Sequence, residues 1–257
     1  MLGVLIGFCA LIGLAIGSFL NVVIYRVPKK MSIVSPRSAC PSCGAFIAER
    51  DNIPVVSWLL LQGHCRHCHA SISPQYPLVE LGCAGLFAGL AARFGYDWVL
   101  PAYLVLFAGL LALSVIDIET MLLPKVIVWP LSVAVAALFV LAAAINGQWH
   151  DLLVGAISGA AWFAVFFAMN LASPKLLGFG DVRLAPVLGL ALGWLGWRYV
   201  VLGFFAANLV GAVIGLALIA THRISRQQRI PYGVFLAAGC AVAVYAGPEL
   251  LRPFTTT

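Results

Sequence analysis

Two aspartates and four cysteines are the residues most able to do chemistry. Asp117 lies in IDIETMLLP (116–124) and Asp181 in GFGD (178–181), 64 positions further along the chain. Carboxylates at membrane depth are costly and point by default to function. Each of these stands at the edge of a long apolar run. Two neighbouring carboxyls do not both ionise cheaply, so such a pair shares a proton. One member then activates water as a base, and the other donates a hydrogen bond to the carbonyl under attack. That is the chemistry of aspartic proteolysis. Gly178 and Gly180 have no Cβ, so the backbone there can come close to a helix or an extended substrate. A helix opening at Asp181 would also set its carboxylate at a positive dipole end. The alternative is that these are interfacial acids, helix caps, or ion-pair partners of Arg183 and Lys125. Glu119, two positions after Asp117, competes for the same role.

Cys40, Cys43, Cys65 and Cys68 form two C-x-x-C pairs separated by 21 residues in the only long polar segment of the chain. Four thiolates in two knuckles suit a tetrahedral Zn²⁺ ion, which would be structural because the shell is closed. A dithiol redox pair would need only one C-x-x-C. His64, His67 and His69 crowd the second knuckle and could replace a thiolate, but with four cysteines completing the shell they read as solvated neighbours. Cys9, Cys83 and Cys240 lie in apolar runs, where a lone cysteine behaves as a small hydrophobe.

The elements that must position these groups belong to a membrane. Of 257 residues, 63% are hydrophobic and 9% charged, against about 25% charge in a soluble domain. The mean hydropathy is +1.04. The sequence predicts an all-α polytopic membrane protein with about eight transmembrane helices, expected at 3–24, 78–94, 98–116, 126–145, 152–172, 184–197, 199–221 and 231–248. The opening stretch reads as a retained first span, since it lacks a basic n-region and a cleavage site. With 26–76 in the cytosol, only Arg93, Arg198 and Arg252 of the 15 basic residues fall outside, which satisfies the positive-inside rule. Both chain ends then lie outside, and both aspartates lie on the cytosolic side at similar depth. The formal charge of +6 therefore reports topology rather than nucleic-acid binding, and no nucleic acid is expected as a partner. Three regions are expected: a first transmembrane helix (1–27), a cytosolic cysteine-rich zinc segment (28–76) and a seven-helix membrane domain carrying the aspartates (77–250). The middle segment is short enough to need a metal staple.

Taken together, the motifs resemble those of bacterial prepilin peptidases, which are GxGD aspartic membrane proteases. GSFLNVVIYRVP (17–28) is similar to the end of that family's first span, and 40–80 to its cytosolic cysteine segment. IDIETMLLP and GFGD are similar to its two aspartate motifs, and IPYGVFLAAG (230–239) to its final-span motif. The resemblance implies a bifunctional enzyme of the bacterial inner membrane. It would cleave the leaders of type IV prepilins and type II secretion pseudopilins after Gly, then N-methylate the new first residue using S-adenosylmethionine. It also implies that Asp117 and Asp181 are the catalytic pair, Asp117 being preferred to Glu119 by its spacing to Pro124. Cys40, Cys43, Cys65 and Cys68 correspond to the family's cysteine quartet. Lys125 stands where the family has Asp or Asn, and Val234 where it has Pro. No glycine-rich cofactor loop marks a site for S-adenosylmethionine, and no feature of the sequence sets an oligomeric state. Glu49, Asp51 and Glu80 are candidates to attract a basic leader or the freed amine. Competing readings are another GxGD protease of preflagellin-peptidase type, a transporter whose boundary acids bind cations, and a membrane-anchored zinc module without catalysis.

Overall fold

The computed structural model describes residues 1–173, 177–221 and 231–254. Lys175, Arg223, Arg226 and Arg229, counted above on the cytosolic side, and Ile230 of the last motif lie outside the described residues. Each expected span is a helix. They are α1 (Leu2–Arg26), α3 (Gln75–Phe94), α4 (Leu100–Thr120), α5 (Lys125–Asn146), α6 (Trp149–Ala172), α7 (Phe179–Trp194), α8 (Trp197–Ala220) and α9 (Tyr232–Leu251), with a short α2 (Val56–Leu60) in the cysteine segment. Seven of these helices are long and apolar enough to cross a membrane. Of the eight expected spans, the exception among the described residues is α7, whose 16 residues reach only about 24 Å at 1.5 Å per residue.

Several boundaries move by a few residues, and two of the shifts matter. The third span was expected to stop at 116, but α4 continues to Thr120, so Asp117 lies inside its last turns. The sixth was expected at 184–197, but α7 begins at Phe179 and holds Asp181 in its first turn. Hydropathy misses that turn because Gly178 to Arg183 is polar, whereas capping chemistry starts the helix there.

The chain forms two compact units, Met1–Leu100 and Pro101–Thr257. In the first, α1 packs along α3. Gly13 and Gly17 make this possible: an added Cβ would lie 2.7 Å from the Ala84 Cα or 2.6 Å from the Glu80 Cα. Small residues four apart allow such backbone approach in membranes, where packing replaces the hydrophobic effect as the driving force. The Asn21 amide donates to the Tyr76 carbonyl at 3.0 Å. At the end of α1, buried Arg26 donates to the carbonyls of Ser32 and Pro36 at 2.9 and 2.8 Å, which folds the start of the polar segment back onto the helix.

In the second unit, α7 is the central element and packs against α5, α6, α8 and α9. Its short length is tolerated because most of its surface meets protein. Gly189 and Gly193 press against Ser158 and Gly155 of α6. The Tyr103 hydroxyl donates to the Ala191 carbonyl at 2.7 Å inside the core. The outer faces run the other way: Phe205, Leu209, Val213 and Leu216 form one exposed stripe on α8, the pattern of a helix solvated by lipid.

Candidate functional site

Asp117 and Asp181 come together through the ends of three helices in the second unit. Asp117 projects from the last turns of α4. Its carboxyl faces the backbone amides of Gly233 and Val234 in the first turn of α9. Those amides have no partner within their own helix, and the dipole there favours an anion. Pro231 precedes them as the N-cap, so the turn starts abruptly.

Asp181 is held by the helix it begins. Gly178 is the N-cap of α7, which makes Asp181 the third helical residue. From that position the side chain reaches back to the amides of Gly178 and of Asp181 itself. This is half of a capping box, in which an acid at N3 satisfies the N-cap amide. The helix-cap alternative raised by the sequence is therefore part of the geometry, and it serves to fix the carboxyl.

Both aspartates are buried, at 5% and 6% exposure, and they lie within electrostatic range of each other. Asp117 Oδ2 and Asp181 Oδ1 are buried oxygens without a hydrogen-bond partner among the described residues. Such atoms are expensive to hide and are rare in native structures. A shared proton, or a water held between the carboxyls, would satisfy both. Glu119 points elsewhere: it is exposed, since two residues along a helix carry a side chain to the opposite face.

Two contributors carried no clear signal in the sequence. Leu123, in the loop between α4 and α5, wedges between the bare α-carbons of Gly180 and Gly233. The Tyr232 hydroxyl donates to Asn208 Oδ1 at 3.3 Å and faces Asp181 electrostatically. The proline opening the last apolar run is a helix-start signal; that the Gly233 and Val234 amides behind it would face Asp117 was not legible.

The four cysteines form a second centre in the first unit. Their Sγ atoms all lie within 4.8 Å of one another, and Cys40 and Cys68 are 3.8 Å apart. A tetrahedron with Zn–S of about 2.3 Å has edges of about 3.8 Å, so the residues fit a metal ion. The two knuckles repeat one backbone design. The Cys40 amide donates to Ala45 and the Gly44 amide to Cys40; the Cys65 amide donates to Ala70 and the His69 amide to Cys65. Gly44 and His69 occupy equivalent positions with φ of +71° and +55°. The amides of Cys43 and Ser42 hold the Cys40 thiol down at about 6, and those of Cys68 and His67 lower Cys65. The Ala70 amide draws Cys68 down too, but burial and three neighbouring sulfurs outweigh it and leave that thiol at about 11. Sulfurs this crowded need a cation to ionise together. All seven cysteines are free thiols, and His64, His67 and His69 are exposed.

The other acids near this segment are engaged. Glu49 pairs with Arg37 at 3.1 Å. Asp51 takes two hydrogen bonds from Arg66, at 2.8 and 2.6 Å, which hold its carboxyl below the usual range. Buried Glu80 accepts the Val55 amide at 2.7 Å, and Val55 sits at φ +62°. Glu80 thus anchors a bent loop of the cysteine segment to α3.

Comparison with known proteins agrees with this architecture. Residues 11–94 match the bacterial peptidase A24 N-terminal domain, and residues 104–216 match the type IV leader peptidase family. A prepilin leader peptidase/N-methyltransferase of Pseudomonas aeruginosa is 37% identical, with 95% of this chain and 91% of that protein covered. One of Aeromonas salmonicida is 34% identical over 96% of this chain and 92% of its own length. One of Myxococcus xanthus is 40% identical over 84% of this chain and 64% of its own length. No solved structure matches. With two family profiles covering both units and relatives aligned nearly end to end, the chain belongs to the type IV leader peptidase family, among the bacterial prepilin leader peptidases/N-methyltransferases.

Proposed function

We propose that Asp117 and Asp181 are the catalytic pair of a multi-pass aspartic endopeptidase of the bacterial inner membrane. Its substrates are type IV prepilins and type II secretion pseudopilins, cleaved after Gly at the cytosolic face. The observation that carries this reading is the pair of buried carboxyl oxygens, Asp117 Oδ2 and Asp181 Oδ1, without a hydrogen-bond partner among the described residues, in a chain of this family. A prepilin presents its apolar helix to the bilayer and its basic leader to the cytosol, which brings the scissile bond to the level of the two helix N-termini. One carboxylate accepts a proton from water as the water oxygen bonds to the Gly carbonyl carbon. The protonated partner donates to the carbonyl oxygen, giving a noncovalent tetrahedral intermediate. Collapse breaks the C–N bond as the leaving amine takes a proton from one carboxyl and a hydroxyl of the intermediate gives its proton to the other, so the pair is singly protonated again. The Gly178 and Gly233 amides hold the carboxyls in place throughout.

The released N-terminal amine would then be methylated: bound S-adenosylmethionine would supply the methyl group, its S–CH3 bond breaking to leave S-adenosylhomocysteine as the amine forms the N–C bond and gives up a proton. Cys40, Cys43, Cys65 and Cys68 hold a structural Zn²⁺ ion that staples residues 28–76. The test is a cleavage assay of detergent-purified protein on a prepilin, with the product N-terminus read by mass spectrometry with and without S-adenosylmethionine. Cleavage after Gly, lost in both Asp117→Asn and Asp181→Asn, together with a cofactor-dependent gain of one methyl, is the expected result. Two variants that cleave as well as wild type would refute the aspartic mechanism.

A further inference from the structure

The last two residues of the α4–α5 loop deliver Leu123 to an unusual place. Its Cβ lies 2.8 Å from the position a Gly180 Cβ would take, and both its δ-methyls lie 3.1 Å from the position a Gly233 Cβ would take. Asp117 Oδ2, which has no hydrogen-bond partner among the described residues, lies 2.9 Å from that same Gly233 position. The isobutyl group and the carboxyl oxygen therefore converge on one bare α-carbon. Gly180 is the residue immediately before Asp181, so Leu123 touches the backbone beside both members of the pair.

Leu123 also has little freedom to withdraw. It fills the space that side chains at 180 and 233 would occupy, against the first turns of α7 and α9. Pro124 follows it and restricts its backbone to extended conformations. Close-packed side chains in this setting yield by tenths of an ångström, not by the volume of a methyl group.

Any carbonyl attacked by water between the two carboxyls brings its own α-carbon within about one bond length, 1.5 Å. A β-carbon on that residue would extend a further bond into the space beside Asp117. We infer that Leu123 is a specificity-determining residue: with the bare α-carbons of Gly180 and Gly233 it walls off the space beside the dyad and admits only glycine before the scissile bond. This rests on the peptidase reading above and deepens it, since the requirement for glycine then has a named steric cause within this chain.

The test is a competition assay. A prepilin with Gly before the scissile bond and the same prepilin with Ala there are mixed and cleaved together, and the product ratio is read by mass spectrometry. A ratio taken in one tube is independent of how much enzyme is folded. The enzymes are wild type, Leu123→Ala and Leu123→Val. Wild type is expected to cut the Gly substrate almost alone. Leu123→Ala is expected to lower the preference for Gly by about 10-fold or more, the scale of one methyl group in a packed pocket, with Leu123→Val in between. An unchanged ratio in both variants, or loss of all cleavage in both, would make Leu123 a structural wedge and overturn the inference. If wild type cleaves neither substrate, the peptidase reading itself fails.

Discussion

Replacing Gly233 by alanine should disable the site while leaving the fold nearly intact. The new Cβ would stand 2.9 Å from Asp117 Oδ2 and 3.1 Å from each δ-methyl of Leu123. Comfortable separations are about 3.5–4.0 Å between carbons, so both neighbours are crowded by several tenths of an ångström. The obstructing atoms are ends of side chains, and the fold can accommodate them. Overpacking of this kind costs about 1–3 kcal/mol. Alanine in place of a helical glycine returns about 0.5–1 kcal/mol, leaving a net loss of about 0–2.5 kcal/mol. The chemistry is less forgiving, because the atom displaced is a carboxyl oxygen of the dyad. A misplacement of about 1 Å costs on the order of 100-fold, so a shift of several tenths predicts a kcat about 10–100-fold lower. KM should move by less than about 3-fold, since an interaction realised in the transition state is what is lost. The measurements are steady-state cleavage of a prepilin and a thermal melt in the same detergent. Gly82→Ala is the control, because an added Cβ there meets nothing within 4 Å. A Gly233→Ala protein that melts like wild type and keeps kcat within about 2-fold would refute the placement of Asp117 against α9.

Three further outcomes follow from the first unit. Cys65→Ser should lower the zinc content measured on purified protein and expose residues 40–70 to limited proteolysis, as should stripping wild type with a chelator; wild type free of metal yet equally protease-resistant would count against a zinc staple. Glu80→Ala takes the charged acceptor from the part-buried Val55 amide and should destabilise the loop by about 1–3 kcal/mol, whereas Glu80→Gln keeps an acceptor and should lose less; hydrogen exchange at 53–57 distinguishes them, and equal protection in both variants would dismiss the anchor. The Asp51 carboxyl is depressed first by its hydrogen bonds from Arg66, so the stability it lends is fully present above the ordinary carboxylate value of about 3.9 and is lost as pH falls through the lowered folded value. Its titration followed by NMR should shift upward in Arg66→Gln, and an unmoved midpoint would argue that the pair does not form in solution.

Much of this protein follows from composition and spacing alone. Runs of about twenty apolar residues have only one stable form in a bilayer, the helix with every backbone group internally bonded, so all eight helices were legible. The cysteine quartet was legible because a C-x-x-C turn is a local device: its geometry depends on four residues and an amide or two, which the chain supplies at Cys40 and again at Cys65. The sequence preferred Asp117 to Glu119 only through a family spacing; in the fold the first is buried and the second exposed, and the cleavage assay tests the choice. What the sequence left undecided was everything made by helix ends meeting. Hydropathy placed Asp181 outside its helix because it scores burial, not capping, and the Gly178–Asp181 cap is a hydrogen-bond fact. Leu123 is an ordinary leucine in an apolar loop until α7 and α9 bring Gly180 and Gly233 against it. Glu80 read as a candidate leader contact, and that it also accepts the Val55 amide was not legible. Periodicity and spacing act along the chain, where each residue sees its near neighbours. The dyad depends on groups 64 residues apart, and on the amides of a third helix, whose approach is set by glycine-lined packing that no local pattern encodes.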